Sequence, residues 1–221
     1  MNAWKVLTLV ATCALMAGTG FAQESGASGS EAKSEEASGS ASKTAPVMEK
    51  LAKEIDASEN ASDAVKAFAK GTLLSLCTNK VFVAEIKAQN AKKISLDDIK
   101  KVDQEWKDAE DELPIHVEKM GNACAKEVKK VAGALAGVGE VFVMDNQGAN
   151  VGQNELTSDY WQGDEAKWKN SFKEGKGGVD IDKSKLDKST GQVDQKVSLP
   201  IIDDDGKVIG AVCFGVIVDK L

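Results

Sequence analysis

Residues 192–218 read QVDQKVSLPIIDDDGKVIGAVCFGVIV, and this stretch decides the fold. Two apolar runs, residues 192–202 and 207–218, are separated by Asp203-Asp-Asp-Gly206. Polar residues followed by glycine are typical of a turn, in which the glycine supplies a positive φ. The stretch therefore predicts two long antiparallel strands joined by a hairpin turn.

A second, shorter hairpin is predicted upstream. Residues 140–145 have the composition of a strand, Asn146–Gly148 that of a tight turn, and residues 149–153 that of the returning strand. Between the two hairpins, residues 164–173 are expected to form a short helix, because Trp168 and Phe172 are four residues apart. Residues 137–221 are thus predicted to be the β-rich part of the chain.

Residues 46–136 are predicted to be helical. Val47, Leu51 and Ile55 recur at four-residue spacing. Ser95 is a good N-cap for a helix over residues 95–110. A further helix is predicted from Leu113-Pro114 onward, with its apolar positions at Val117, Met120, Cys124 and Val128.

Residues 79–93 permit either a strand around Val81–Val83 or a helix, and the flanking residues favour a helix by propensity. The predicted helices precede the predicted strands, with no βαβ alternation. This order indicates an α+β fold, with N-terminal helices packed on a C-terminal antiparallel sheet.

The first 22 residues are typical of a signal peptide. Lys5 precedes an apolar run at 6–16, and Gly20-Phe21-Ala22 places small residues where signal peptidase reads them, so cleavage is expected after Ala22. The run is shorter than the roughly 20 residues that a membrane span needs. An uncleaved N-terminal anchor is the alternative.

The expected organisation is a signal peptide (1–22), a flexible low-complexity linker (23–45) and a single domain (46–221). The linker contains Ser, Gly, Ala, Glu and Lys but too few apolar residues to offset the entropy of ordering it. The mature protein is expected to be periplasmic or secreted, without a membrane span.

The charge of the chain limits its partners. The formal net charge is −7, and all 28 basic residues are lysines. An acidic chain is a poor partner for nucleic acid or for an anionic membrane surface. The absence of arginine also removes the usual bidentate clamp for carboxylate or phosphate groups.

Three cysteines remain after removal of the signal peptide, namely Cys77, Cys124 and Cys213. Cys213 lies in an apolar predicted strand and is expected to be buried. Cys77 and Cys124 lie in helical segments and could form a disulfide in an oxidising compartment. The alternative is that all three are small buried hydrophobic residues.

The densest group of aromatic and polar residues is TSDYWQGD, residues 157–164. Aromatic walls with a few convergent polar groups are typical of small-molecule sites. Acids beside aromatic rings favour a cationic or neutral polar ligand, through ion pairing and cation–π attraction. The predicted ligand-binding residues are Asp159, Tyr160, Trp161, Thr157 and Gln162, with Asp103 and Trp106 as a second wall. Alternatively, the tryptophans belong to the core, and Asp159 and Asp164 cap a turn and a helix.

No catalytic or metal-binding motif emerges, so a non-enzyme without a cofactor or metal is expected. His116 is the only histidine, and it is expected at the surface. One histidine cannot build a multi-histidine zinc site, and no nucleophile motif is present. Asp180–Ser184 lacks the glycine and the terminal glutamate of a calcium loop.

Three segments resemble parts of Cache (PDC-type, PAS-like) sensor domains. Residues 141–148 (VFVMDNQG) are similar to the first hairpin of that family, and residues 197–210 (VSLPIIDDDGKVIG) to its last hairpin. Residues 157–164 resemble the loop and helix that border the ligand pocket. The resemblance covers residues 140–221.

The resemblance implies a periplasmic, non-catalytic sensor module that binds a small molecule and reports its presence to a partner. The implied partner is a membrane sensor kinase or chemoreceptor, since such domains are usually joined to a signalling output. The alternative is an exported structural or interaction protein that keeps a Cache-like scaffold without a ligand.

Overall fold

The computed structural model describes residues 36–186 and 191–221, with side chains from residue 43 onward. The predicted signal peptide lies outside these residues. Seven α-helices are described: α1 (Glu36–Ala57), α2 (Asp63–Gly71), α3 (Lys80–Ala91), α4 (Leu96–Asp108), α5 (Pro114–Gly121), α6 (Ala123–Ala134) and α7 (Ala166–Phe172). The described strands are β1 (Val138–Met144), β2 (Asn150–Gln153), β3 (Asp180–Ile181), β4 (Lys185–Leu186), β5 (Val193–Ile202) and β6 (Val208–Ile217). A 3₁₀ helix, Leu73–Thr78, connects α2 to α3.

The strands form one antiparallel sheet in the order β2-β1-β6-β5-β3, and β4 also pairs with β5. β6 lies between β1 and β5, since Phe214 is opposite Val141 of β1 and Val197 of β5. The α+β prediction and both predicted hairpins are therefore confirmed. The two-residue strands β3 and β4 are too short to carry a recognisable alternation and were not predicted.

The two faces of the sheet bury different residues. Val141, Val212 and Phe214 belong to the main core, which they share with residues of the N-terminal helices such as Leu51 and Phe82. On the opposite face, a smaller cluster of Phe142, Met144, Ala211 and Cys213 packs against Trp168 of α7. The N-terminal helices therefore cover one face, as predicted, and α7 covers part of the other.

The predicted helix from Leu113 onward is two helices, because the chain breaks at Gly121–Asn122. Asn122 has extended backbone angles, and its Oδ1 accepts a hydrogen bond from the amide of Ala125 at 2.8 Å. An N-cap of this kind starts a new helix. The break changes the buried face, since Val117 is 54% exposed whereas Cys124 and Val128 are fully buried. The prediction that one helix face joins these residues was therefore wrong.

Helix α1 begins at Glu36, so the last ten positions of the predicted linker are helical. The turn between β5 and β6 contacts this part of α1: Lys43 Nζ lies 2.9 Å from Asp205 Oδ1. A side chain at Gly206 would place its Cβ 2.7 Å from the Lys43 carbonyl oxygen. Tertiary contacts of this kind stabilise helices whose own propensity is low.

The same turn makes two further ion pairs with α3. Asp204 pairs with Lys80, and Asp203 Oδ2 lies 3.2 Å from Lys87 Nζ. Asp203 is buried, and burial alone would raise the pKa of its carboxyl. Hydrogen bonds from the Lys207 amide, Lys87 and the Asp205 amide outweigh that effect, so the pKa is lowered. The turn thus ties the central strands to both α1 and α3.

Cys77, Cys124 and Cys213 are free thiols, and all three are buried. Cys77 and Cys124 both belong to the main core. The structure therefore presents them as small buried hydrophobic residues and contains no disulfide between them. Among the described residues, none of the helices combines the length and apolar character needed to cross a bilayer.

Candidate functional site

The structure brings α4 together with the predicted site segment, residues 157–162. The amide of Trp161 donates to Asp103 Oδ1 at 2.9 Å, and Trp106 Nε1 donates to the carbonyl oxygen of Thr157 at 2.9 Å. The Trp106 and Tyr160 rings are 5.7 Å apart and tilted by 30°. The two predicted walls are therefore neighbours in space, joined by hydrogen bonds and an aromatic contact.

The two predicted ligand carboxylates are engaged within the protein. Besides the Trp161 amide, Asp103 binds Lys107, whose Nζ lies 2.6 Å from Oδ2. Asp159 Oδ1 accepts from Gln162 Nε2 at 2.8 Å and from Ser158 Oγ at 3.0 Å. Both carboxylates therefore act here as acceptors that hold residues 157–162 in place.

The remaining predicted residues also make internal contacts. Trp161 Nε1 donates to the carbonyl oxygen of Gln147 at 2.8 Å, and Lys100 Nζ lies 4.9 Å from the centre of the Trp161 rings. Thr157 Oγ1 donates to the Asp159 carbonyl oxygen at 2.7 Å. Gln162 is fully buried, and its Oε1 accepts from Lys167 Nζ at 3.0 Å. Most polar groups of the predicted segment are thus hydrogen-bonded within the protein, which fixes the position of the segment.

Behind Tyr160 lies a group of buried polar residues that sequence reasoning missed. We call it the polar cluster; its members are Gln89, His116 and Lys119, which lie beside Tyr160 and Trp106. His116 is 7% exposed, so the prediction of a surface histidine was wrong. The break after Gly121 turns His116 and Lys119 inward and Val117 outward. The isolated signal in the sequence was the three-residue spacing of His116 and Lys119, which places both on one face of α5.

Lys119 is the buried cation of this cluster. Its Nζ donates to Gln89 Oε1 at 2.8 Å and to Glu118 Oε1 at 3.2 Å, and it lies 5.8 Å from the centre of the Tyr160 ring. Burial lowers the pKa of Lys119, an effect that the half-exposed Glu118 partly opposes. Burial likewise raises the pKa of Tyr160, so the phenol is neutral. The cluster therefore offers a poorly compensated positive charge beside an aromatic face.

Gln89 connects Lys119 to the β1–β2 turn. Its Nε2 donates to Asp145 Oδ2 at 2.9 Å. Asp145 Oδ1 in turn accepts from the amides of Gln147 and Ala149, at 2.8 and 3.0 Å. The Asp145 carboxylate, which is linked to Lys119 only through Gln89, thus also shapes the turn.

Three polar atoms near the predicted site are buried without a hydrogen bond among the described residues: His116 Nε2 in the cluster, and Asn150 Oδ1 and Gln153 Nε2 on β2. His116 Nδ1 accepts from the amide of Leu113 at 3.2 Å, so Nε2 carries the proton. The side chains of Asn150 and Gln153 bind each other, Asn150 Nδ2 donating to Gln153 Oε1 at 3.0 Å. Unpaired buried donors and acceptors are rare in native proteins and require an explanation.

The described residues contain no group of three or more His, Cys, Asp or Glu side chains placed to hold a metal ion. The chemistry available in the cluster is therefore that of its amine, amide and imidazole, beside the Tyr160 phenol. These groups bind and orient a polar molecule by hydrogen bonds.

Comparison with solved structures finds sensor and ligand-binding domains at low sequence identity. The sensor domain of the histidine kinase DctB from V. cholerae is 13% identical over 78% of this chain and 56% of its own, with a TM-score of 0.37. The sensory domain of the Campylobacter jejuni chemoreceptor Tlp3 with isoleucine bound is 13% identical over 80% of this chain and 62% of its own, with a TM-score of 0.34. An extracellular ligand-binding receptor from Desulfohalobium retbaense is 12% identical over 63% of this chain, with a TM-score of 0.31.

The chain spans less than two thirds of these sensor structures. Neither a family model nor a curated protein matches its sequence. The identities and TM-scores are too low for the ligands of these receptors to be transferred to this chain.

Proposed function

We propose that this chain is an exported, non-catalytic sensor module that binds a small polar molecule at the polar cluster and reports its presence to a signalling partner. The observation that supports the proposal is the buried, unpaired Nε2 of His116 on the same face of α5 as the buried Lys119. A buried donor or acceptor without a partner costs about 1–3 kcal/mol. A ligand that pairs with this atom removes that cost, and this provides binding energy.

The arrangement of the cluster also favours a class of ligand. Lys119 and His116 Nε2 are donors, so the ligand needs acceptor oxygens. The sequence favoured a cationic or a neutral polar ligand. Because Asp103 and Asp159 are engaged within the protein and the buried charge is that of Lys119, we propose a neutral polar ligand with an oxygen facing Lys119.

Thermal-shift titration with three panels (neutral polar metabolites, carboxylates and amines) tests the proposal. A ligand at one hundred times its Kd should stabilise the protein by about 2.7 kcal/mol. Lys119→Met should weaken binding at least tenfold, because it removes the donor that faces the oxygen. Lys126→Met is the matched control, since Lys126 is an exposed lysine on the neighbouring helix.

Two results would contradict the proposal. Stabilisation by amines alone would contradict the role of Lys119. No stabilisation by any panel, together with ordered water on the unpaired atoms in a crystal structure, would favour the alternative of an interaction protein without a ligand.

We propose further that the mature chain is periplasmic or secreted and that its partner is a membrane sensor kinase or chemoreceptor. The signal-peptide pattern of residues 1–22 supports the location. Intact-mass measurement of protein from the extracytoplasmic fraction should give a chain that begins at Gln23. A chain that begins at Met1 in that fraction would instead support the uncleaved anchor.

A further inference from the structure

Helix α7 ends in a turn in which two consecutive residues other than glycine have a left-handed backbone. Lys173 has φ 49° and ψ 53°, and Glu174 has φ 54° and ψ 34°. Gly175 and Gly177 follow with φ of 79° and 66°. Side chains with a Cβ disfavour this region, and two consecutive residues there persist only when the surrounding structure holds them.

Helix α1 holds this turn through side chains that bind its backbone. Lys50 Nζ donates to the carbonyl oxygens of Gly177 at 2.7 Å and of Lys176 at 3.2 Å. Glu54 Oε2 accepts from the amide of Val179 at 3.0 Å. Lys50 and Glu54 are one helical turn apart, so a single face of α1 binds both ends of residues 176–179.

Near its N-terminus, α7 is hydrogen-bonded to the β1–β2 turn and to residues 157–162. Trp168 Nε1 donates to the carbonyl oxygen of Asp145 at 3.0 Å, and Lys167 Nζ donates to Gln162 Oε1 at 3.0 Å. The Asp145 carboxylate receives the hydrogen bond of Gln89, which also binds Lys119. A short helix thus lies between the polar cluster and α1, with hydrogen bonds at both sides.

We infer that α7 and its left-handed turn couple the polar cluster to α1. A change in the hydrogen bonds of Asp145 or Gln162 moves α7, and because α7 ends in a strained turn, its movement alters the contacts of that turn with Lys50 and Glu54. Coupling between distant sites requires an element with two arrangements. Here that element is the turn, which is hydrogen-bonded to Lys50 and Glu54 in one arrangement and released from them in the other. The role of this coupling in sensing rests on the proposed function, whereas the coupling itself does not require a ligand.

Hydrogen exchange of the ligand-free protein tests the coupling. Lys50→Met removes the hydrogen bonds to the carbonyl oxygens of Lys176 and Gly177, so the amides of residues 176–179 should exchange at least tenfold faster. If α7 transmits the change, the amides of Gln162 and Glu165 at its other end should also exchange at least threefold faster. Lys53→Met is the matched control, because Lys53 is exposed and pairs with Glu49 on α1, and it should change neither region.

A second pair of variants isolates the strain. Glu174→Gly permits the left-handed backbone, so in the Lys50→Met background it should return the exchange of both regions towards that of the natural protein. Glu174→Ala removes the same carboxylate but keeps the strain, and it should not restore the exchange. Glu54→Ala, which frees the Val179 amide, should act in the same direction as Lys50→Met.

Faster exchange confined to residues 176–179, with Gln162 and Glu165 unchanged in both α1 variants, would overturn the inference. Equal rescue by Glu174→Gly and Glu174→Ala would also overturn it, since strain would then play no part. Failure to find a ligand in the thermal-shift panels would contradict the proposed function and leave these exchange results as they are.

Discussion

Lys119 shows at the scale of one residue how this chain differs from an ordinary folded domain. It is 3% exposed, and its Nζ has an amide oxygen and a half-exposed carboxylate as partners. Buried cations are usually paired with buried acids, because desolvating a charge is costly. A residue that lowers stability in this way is typical of a binding site, where stability is given up for function.

Replacement of Lys119 by methionine should stabilise the protein at neutral pH while weakening ligand binding. Buried ionic groups replaced by apolar ones of similar size are often neutral or stabilising, and here we expect about 1 kcal/mol at pH 7. Because burial lowers the pKa of Lys119, the unfolded chain holds the proton more tightly than the folded chain.

The penalty for burying the charge is therefore fully present below the folded-state pKa and is lost as the pH rises towards the ordinary value of 10.5. Urea unfolding at pH 7, 9 and 10 should show the difference between Lys119→Met and the natural protein shrinking with pH. Lys126→Met serves as the control. A difference that is independent of pH would show that the charge of Lys119 does not govern the effect.

Asp103 allows a structural role to be separated from a ligand-binding one. Asp103→Ala leaves the Trp161 amide without its acceptor and should lower the free energy of unfolding by about 1–3 kcal/mol. Asp103→Asn keeps an oxygen at that position and loses mainly the ion pair with Lys107, for which about 0.5 kcal/mol is expected. Equal losses in the two variants, measured by urea unfolding, would mean that charge rather than hydrogen bonding explains the position of Asp103.

At the scale of the elements, the break between α5 and α6 determines which residues form the polar cluster. The helical pattern over residues 113–128 was recognisable, but the end of α5 was not, because a single Gly-Asn pair can lie inside a helix as well as between two. The helical prediction was therefore right, but the buried face was wrong: Val117 was expected inside and His116 at the surface. Such polar burial depends on contacts with Gln89 and Tyr160, which are distant in sequence.

Asn122→Ala should lower the free energy of unfolding by about 1–2 kcal/mol. The change removes the cap on the Ala125 amide and the hydrogen bond from Nδ2 to the Val151 carbonyl oxygen at 2.7 Å. Asn122→Asp keeps the cap and loses only the donor, so it should destabilise less. A larger loss for aspartate than for alanine in chemical denaturation would contradict the assignment of Asn122 as an N-cap.

At the scale of the whole molecule, the hairpins and the packing of helices on a sheet followed from the sequence because each leaves a local pattern. Two apolar segments on either side of Asp-Asp-Asp-Gly206 sufficed for β5 and β6, and the order of helices and strands sufficed for the fold class. The role of residues 157–162 and Trp106 in ligand binding stays a prediction, and the structure places them beside the polar cluster. Its interior was not predicted, because burial of isolated polar residues has no periodic signature.

Thiol labelling should report the unfolding of the whole domain. Burial raises the pKa of Cys77 to about 12 and also raises those of Cys124 and Cys213. The chain from residue 23 onward should therefore resist a thiol reagent when native and react at three sites per molecule in denaturant. Reaction at a single site after denaturation without reductant would reveal a disulfide between two of the three cysteines, and a reactive Cys213 would identify the pair as Cys77 and Cys124.

The position of β6 between β1 and β5 has a consequence for the biosynthesis of the protein. β6 follows both partners in the chain, so neither can complete its pairing until residues 208–217 have left the ribosome. Long-range pairing of this kind delays folding. The central part of the sheet therefore stays open in a nascent chain until β6 has been synthesised.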